Sequence, residues 1–115
     1  MQLGTNELNP SNLTAEQKAR FDGIVSKDKI VLFMKGNKDF PQCGFSDAVV
    51  KALKFYNADF VTYDVLTDTE IRSGMKHYSE WATFPQLYVN REFVGGCDII
   101  MSMHESGELD AALKA

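Results

Sequence analysis

A chain of 115 residues, 44% hydrophobic and 24% charged, has the size and apolar content for one domain that builds its own core without disulfide or metal staples. The formal net charge of −4 gives no electrostatic reason for nucleic acid or an anionic membrane as partner, and no apolar run is long enough to span a bilayer. Two cysteines, Cys43 and Cys97, are too few for a secreted disulfide scaffold; the expected setting is a reducing intracellular compartment, cytoplasm or mitochondrion.

Residues 1–13 are polar, lack a basic region followed by an apolar core, and so do not read as a secretory signal. They read as a flexible tail before a domain over residues 14–115. Thr14-Ala15-Glu16-Gln17 has the form of a capping box, opening a helix to about Ser26 with Ala19, Phe21, Ile24 and Val25 as its apolar stripe. Ile30 to Met34 is a continuous apolar run, the pattern of a strand covered on both faces. Lys35 to Gln42 is a loop containing Gly36, Asn37 and Pro41. From Cys43 the pattern turns helical, with Val49, Ala52, Leu53 and Tyr56 at three- and four-residue spacing.

Phe60 to Asp64 reads as a second strand and Thr69 to Ser79 as a helix with Ile71, Met75 and Tyr78 facing inward. Gln86–Val89 and Glu92–Val94 are strands joined by Asn90-Arg91, although a two-residue hairpin prefers glycine at the second position. Gly95-Gly96 ends the last strand, Asp98 is placed to cap a helix through Met103, and Glu108 to Lys114 closes the chain. Strand–helix–strand order makes the first two strands parallel, and the hairpin adds antiparallel ones. The expected fold class is α/β: a mixed four-stranded sheet with helices on both faces.

Cys43 stands where loop becomes helix, so free backbone N–H groups face its sulfur and favour the thiolate, the nucleophilic and metal-ligating form. Lys35 leaves the first strand at the same edge. Position 46 is Ser, not Cys, so a mixed disulfide at Cys43 needs a resolving thiol from elsewhere, either a small molecule or Cys97. Gly95-Gly96 permits close backbone approach to a ligand, and the N–H of Asp98 at a helix start suits an anion. Asp98 as a simple N-cap is the competing reading. Arg72 and Lys76, four apart, share one helix face; spacing alone makes that face an ordinary solvated one. His77 and His104 lack metal-ligand spacing and read as surface or packing residues.

Lys35 with Cys43-Gly44-Phe45-Ser46, then Thr83-Phe84-Pro85, then Gly95-Gly96-Cys97-Asp98, resembles the CGFS-type monothiol glutaredoxins over roughly Thr14 to Ala115. The resemblance implies a thioredoxin-like fold and glutathione as ligand. By it, Lys35, Arg72 and Lys76 hold the glycine carboxylate, and Phe84, beside a cis Pro85, offers its backbone to the ligand's cysteine. Cys97 and Asp98 meet the γ-glutamyl end. It also implies a [2Fe–2S] cluster ligated by Cys43 and a glutathione thiolate from each of two protomers, hence a cluster-bridged homodimer. Iron–sulfur acceptor proteins or a BolA-like protein would be its partners. A carrier of such clusters is the first reading. A weak glutathione-dependent oxidoreductase, in which Cys43 attacks a mixed disulfide and a second glutathione releases it, is the alternative. The sequence departs from the family at Ala82, where proline is frequent, and at Arg91, where a turn glycine is usual.

Overall fold

A computed structural model describes residues 7–115. The elements run α1 (Ala15–Lys27), β1 (Ile30–Met34), α2 (Gly44–Phe55), β2 (Val61–Asp64), α3 (Thr69–Ser79), β3 (Gln86–Val89), β4 (Glu92–Gly95), α4 (Cys97–Ser106) and α5 (Glu108–Lys114). The sheet order is β2-β1-β3-β4, with β1 and β2 parallel and the other pairs antiparallel. This is the expected mixed four-stranded α/β sheet.

All five residues of β1 are buried because each face of the strand is covered. Ile30, Leu32 and Met34 point into a core with Val49 and Leu53 of α2, Ile100 of α4 and Leu109 of α5. Val31 and Phe33 point the other way, against Phe21 and Val25 of α1 and Ile71 and Met75 of α3. Such period-two alternation within an unbroken apolar run is how a central strand serves two helical layers.

The capping box forms: Thr14 Oγ1 accepts from Gln17 N–H at 3.0 Å, and the Gln17 side chain accepts from Thr14 N–H at 2.8 Å. Ala19, expected on the inner stripe, is exposed. Phe21 and Val25, four apart, are fully buried and supply that face without it.

The first six residues of the expected tail lie outside the described residues. The rest of it is built into the domain. Pro10–Asn12 form a 3-10 turn capped by the Asn9 side chain, and Leu13 is buried against the α1–α3 core. Asn9 N–H donates to His77 Nδ1 of α3 at 3.2 Å. Packing therefore starts ahead of the Thr14 boundary, because Leu13 has apolar surface to cover.

At the β3–β4 turn, Asn90 and Arg91 adopt φ of 52° and 71°, the left-handed pair of a type I′ hairpin. Asn90 is held by its N–H to Lys29 O at 2.8 Å and its amide to Ala115 O at 2.9 Å. The turn geometry thus survives without glycine.

Candidate functional site

The site gathers at the end of the sheet where β1 stops and the antiparallel β3 begins. β1 delivers Lys35, and a short loop leads to Cys43, which caps α2 with extended backbone (φ −154°, ψ 139°). The Cys43 thiol is pulled below the ordinary cysteine range, first by the backbone N–H of Ser46. The N–H of Phe45, the Lys35 charge and the Ser46 hydroxyl add to this, and partial burial opposes it. Ser46 itself is fully buried, and its Oγ accepts the Lys35 N–H at 3.2 Å. One hydroxyl so ties the end of β1 to the first turn of α2.

The loop between them is a closed structure. Gly36 takes φ +87° and pairs with Pro41. A Cβ at Gly36 would lie 2.4 Å from Phe40 O, so only glycine fits. Asn37 Oδ1 accepts from the N–H groups of Asp39 and Phe40, both at 2.9 Å. Asp64 Oδ1 accepts from Gly36 and Leu66 N–H, each at 2.9 Å, joining this loop to the one that follows β2. Lys38 Nζ donates to Phe60 O at 2.8 Å and stands over the Phe60 ring, while Lys54 Nζ donates to Lys38 O at 3.0 Å. Phe40 and Phe45 are left exposed on either side of Cys43 in the chain.

Beside the thiol lies a cleft of about 400 Å³. One side carries the cations Lys35, Arg72 and Lys76; another is the segment Trp81 to Phe84; the third is Gly96, Cys97 and Asp98 at the start of α4, with Phe45 at the rim. Among the described residues, none of the three cations forms an ion pair with a carboxylate. The nearby acids of α3 are engaged elsewhere. Arg20 of α1 pairs with Asp68 at 2.7 Å and with Glu70, and it holds the Asp68 carboxyl below the usual range.

The Phe84–Pro85 peptide is cis. Gly96, not Asp98, is the N-cap of α4, and no side chain caps that helix. Asp98 is its second residue and exposed, so the expectation that it caps is corrected: the extended backbone ends at Gly96 and the helix begins two residues earlier than an Asp98 cap would place it. Gly96, Cys97 and Asp98 at that helix start line the cleft, and the N–H groups of a first helical turn have no partner within the helix. The two glycines have different reasons. A Cβ at Gly95, where φ is +155°, would meet Ile99 at 2.8 Å; one at Gly96 would meet Trp81 Nε1 at 2.8 Å. Both cysteines are free, and the Cys97 thiol is pushed up by burial, then by the Asp98 and Cys43 charges.

Of the residues expected at the site, Lys35, Arg72, Lys76, Phe84, Gly96, Cys97 and Asp98 line the cleft; Cys43, Ser46, Pro85 and Gly95 support it without lining it. Sequence reasoning missed Asp64 and Gln86. Gln86 is fully buried at the start of β3, with its amide turned to the Trp81–Thr83 carbonyls. The available signal was a polar residue opening an otherwise apolar strand. Chemically, the cleft offers cations for one carboxylate, exposed backbone, helix N–H groups for a second anion, and a thiolate at its border. His77 and His104 take packing roles, His104 with the Tyr56 hydroxyl at 2.8 Å. Among the described residues, no three His, Cys, Asp or Glu gather as a metal site, and no helix is long and apolar enough to cross a membrane.

A family model described as glutaredoxin matches residues 30–94. The chain is 52% identical over 102 residues to a chloroplastic monothiol glutaredoxin-S7 of rice, a match covering 89% of this chain and 61% of that protein. It is 51% identical to an uncharacterized ycf64-like monothiol glutaredoxin of Synechocystis, covering 89% and 95%. Against the solution structure of reduced apo poplar GrxS14 the TM-score is 0.75 at 52% identity, covering 84% of this chain and 89% of that one. The chain thus spans less than two thirds of the rice protein.

Proposed function

The chain belongs to the glutaredoxin family, with monothiol members as its relatives, and on that premise we propose that it binds glutathione and carries a [2Fe–2S] cluster as cargo for iron–sulfur protein assembly and iron homeostasis. The observation that carries this reading is the lowered Cys43 thiol beside a cleft with three unpaired cations and a helix N-terminus. Glutathione has two carboxylates, one ammonium and a thiol. Lys35, Arg72 and Lys76 would take the glycine carboxylate, Phe84 the central backbone, and the Cys97 and Asp98 N–H groups the γ-glutamyl carboxylate, with the Asp98 side chain near the ammonium.

The donor set fits a shared cluster. A [2Fe–2S] cluster takes four thiolates. Cys43 is the residue held toward thiolate, whereas burial and neighbouring negative charge keep Cys97 a thiol. One thiolate per chain and one per bound glutathione make four only in a homodimer. Half of such ligands exchange freely, which suits delivery to acceptor proteins or to a BolA-like partner. A reducing intracellular compartment, cytoplasm or mitochondrion, would keep these thiols available.

The low thiol pKa also favours a second reading, glutathione-dependent reduction. The Cys43 thiolate attacks the glutathionyl sulfur of a mixed disulfide, and the target leaves as thiolate and takes a proton; a second glutathione thiolate then attacks the glutathionyl sulfur on Cys43, forming glutathione disulfide as Cys43 leaves as thiolate. With Ser46 at the position of an internal resolving thiol, this second step depends on the external glutathione.

Anaerobic reconstitution with iron, sulfide and glutathione separates the two. A coloured dimer that requires glutathione and is lost in Cys43→Ser supports the carrier. A colourless monomer with rapid disulfide reductase turnover overturns it.

A further inference from the structure

Gln86 is wholly buried in the central sheet, opposite Phe33 of β1 and followed by the buried Leu87, Tyr88 and Val89. A buried amide is costly unless its hydrogen bonds are made. Here Nε2 donates to Trp81 O at 3.0 Å and to Thr83 O at 3.2 Å, while Oε1 has no partner among the described residues. The two carbonyls fix the amide's orientation, since the reverse would set an oxygen against both. Half of the group's bonding capacity is therefore spent on one segment, Trp81–Thr83, that has no regular secondary structure of its own.

That segment is one wall of the cleft, and through it Gln86 reaches the opposite wall. The Trp81 indole rests against Gly96, where even a Cβ would come within 2.8 Å of Nε1. Trp81 also packs on Phe93 of β4 at 5.5 Å between ring centroids. The chain of contacts runs from the Gln86 amide to the Trp81 carbonyl, from the Trp81 ring to Gly96, and so to the first turn of α4.

We infer that Gln86 is a positioning residue: its amide sets the separation between the Trp81–Phe84 edge and the α4 N-terminus, and thereby the affinity of the cleft for its tripeptide ligand. A hydrocarbon of equal volume would fill the space but hold neither carbonyl. The ligand part of this inference rests on the proposed binding of glutathione; the wall geometry does not.

Trp81 is the one tryptophan of the chain, so its fluorescence reports the wall with no ligand present. The test compares the intact wild-type chain with Gln86→Met, which keeps length and removes both donors, and with Gln86→Glu. Far-UV circular dichroism checks the fold, iodide quenching reads Trp81 access, and calorimetry reads glutathione binding. In Gln86→Met the fold persists, Trp81 becomes at least about twofold more accessible because neither carbonyl is held, and glutathione binds about tenfold more weakly. In Gln86→Glu the buried carboxyl donates one bond while neutral and none once ionised. Its Trp81 access therefore rises with pH where the wild type stays flat, and this profile decides the matter if the Met variant does not fold. Wild-type quenching in Gln86→Met, or a flat profile in Gln86→Glu, overturns the inference. A wild-type chain that ignores glutathione overturns the proposed function instead and leaves the Trp81 result standing.

Discussion

Replacing Ser46 by Ala separates two jobs that meet at one residue. Ser46 is fully buried and its Oγ accepts the Lys35 N–H at 3.2 Å. Alanine keeps α2 helical but leaves that N–H unpaired in a part-buried position, at a cost of about 1–3 kcal/mol. Unfolding entropy of about 2.1 cal/mol/K per residue over this chain is about 0.24 kcal/mol/K, so the midpoint should fall by about 4–12 °C. The thiol should hardly notice. Ser46 lowers Cys43 chiefly through its backbone N–H, which alanine retains, and its hydroxyl contributes least of the causes. Thermal melting and the ultraviolet absorbance of the thiolate against pH measure the two effects. An unchanged midpoint would refute the role of the Lys35 bond. A Cys43 that titrates like an ordinary cysteine would show that the hydroxyl, not the helix start, activates the sulfur.

At neutral pH, iodoacetamide should alkylate Cys43 well before Cys97. A lowered pKa enlarges the thiolate fraction there and a raised one shrinks it; peptide mapping showing equal rates contradicts this. Gly74→Ala should destabilise by about 1–3 kcal/mol, because its Cβ would sit 2.5 Å from the Phe21 ring, which is buried and cannot retreat; an unmoved denaturant midpoint rejects that packing argument. Arg72→Ala and Lys76→Ala should each weaken glutathione up to about fivefold in calorimetry, less at high salt, as exposed charges do. A salt-independent loss would mean that the cations act by shape. Asp98→Ala should also weaken binding; unchanged affinity would leave Asp98 with no ligand role.

Much of the fold was readable because its signals are local. The capping box at Thr14, the unbroken apolar β1 and the alternation of strands and helices each follow from backbone chemistry over a few residues. The Cys43 helix start was legible for the same reason. Where long-range packing decides, the sequence says less. Leu13 looks like tail until Phe21 and α3 supply a surface for it. Asp98 looks like a cap until Gly96 is seen to carry the extended backbone into the helix. Arg91 is a poor turn residue in isolation, and it is held left-handed because Asn90 is anchored at both its backbone and its amide. Asp64 escaped because its carboxylate also holds Gly36 of a loop far away in the chain; Gln86 escaped because its partners, the Trp81 and Thr83 carbonyls just ahead of its strand, come within reach of its side chain only through the fold of that irregular segment.

The loop from Gly36 to Gln42 carries a consequence for kinetics. Fixing a residue's backbone costs roughly 1–2 kcal/mol of conformational entropy, and this loop is fixed by the Asn37 turn, the Asp64 carboxylate and two lysine tethers. That entropy is lost once, when the chain folds, and not again at each encounter. A ligand meeting Cys43 therefore finds a loop ordered before it arrives. Its association should follow a single exponential with no slow ordering step, and its affinity should be tuned through the rate of leaving rather than the rate of arrival.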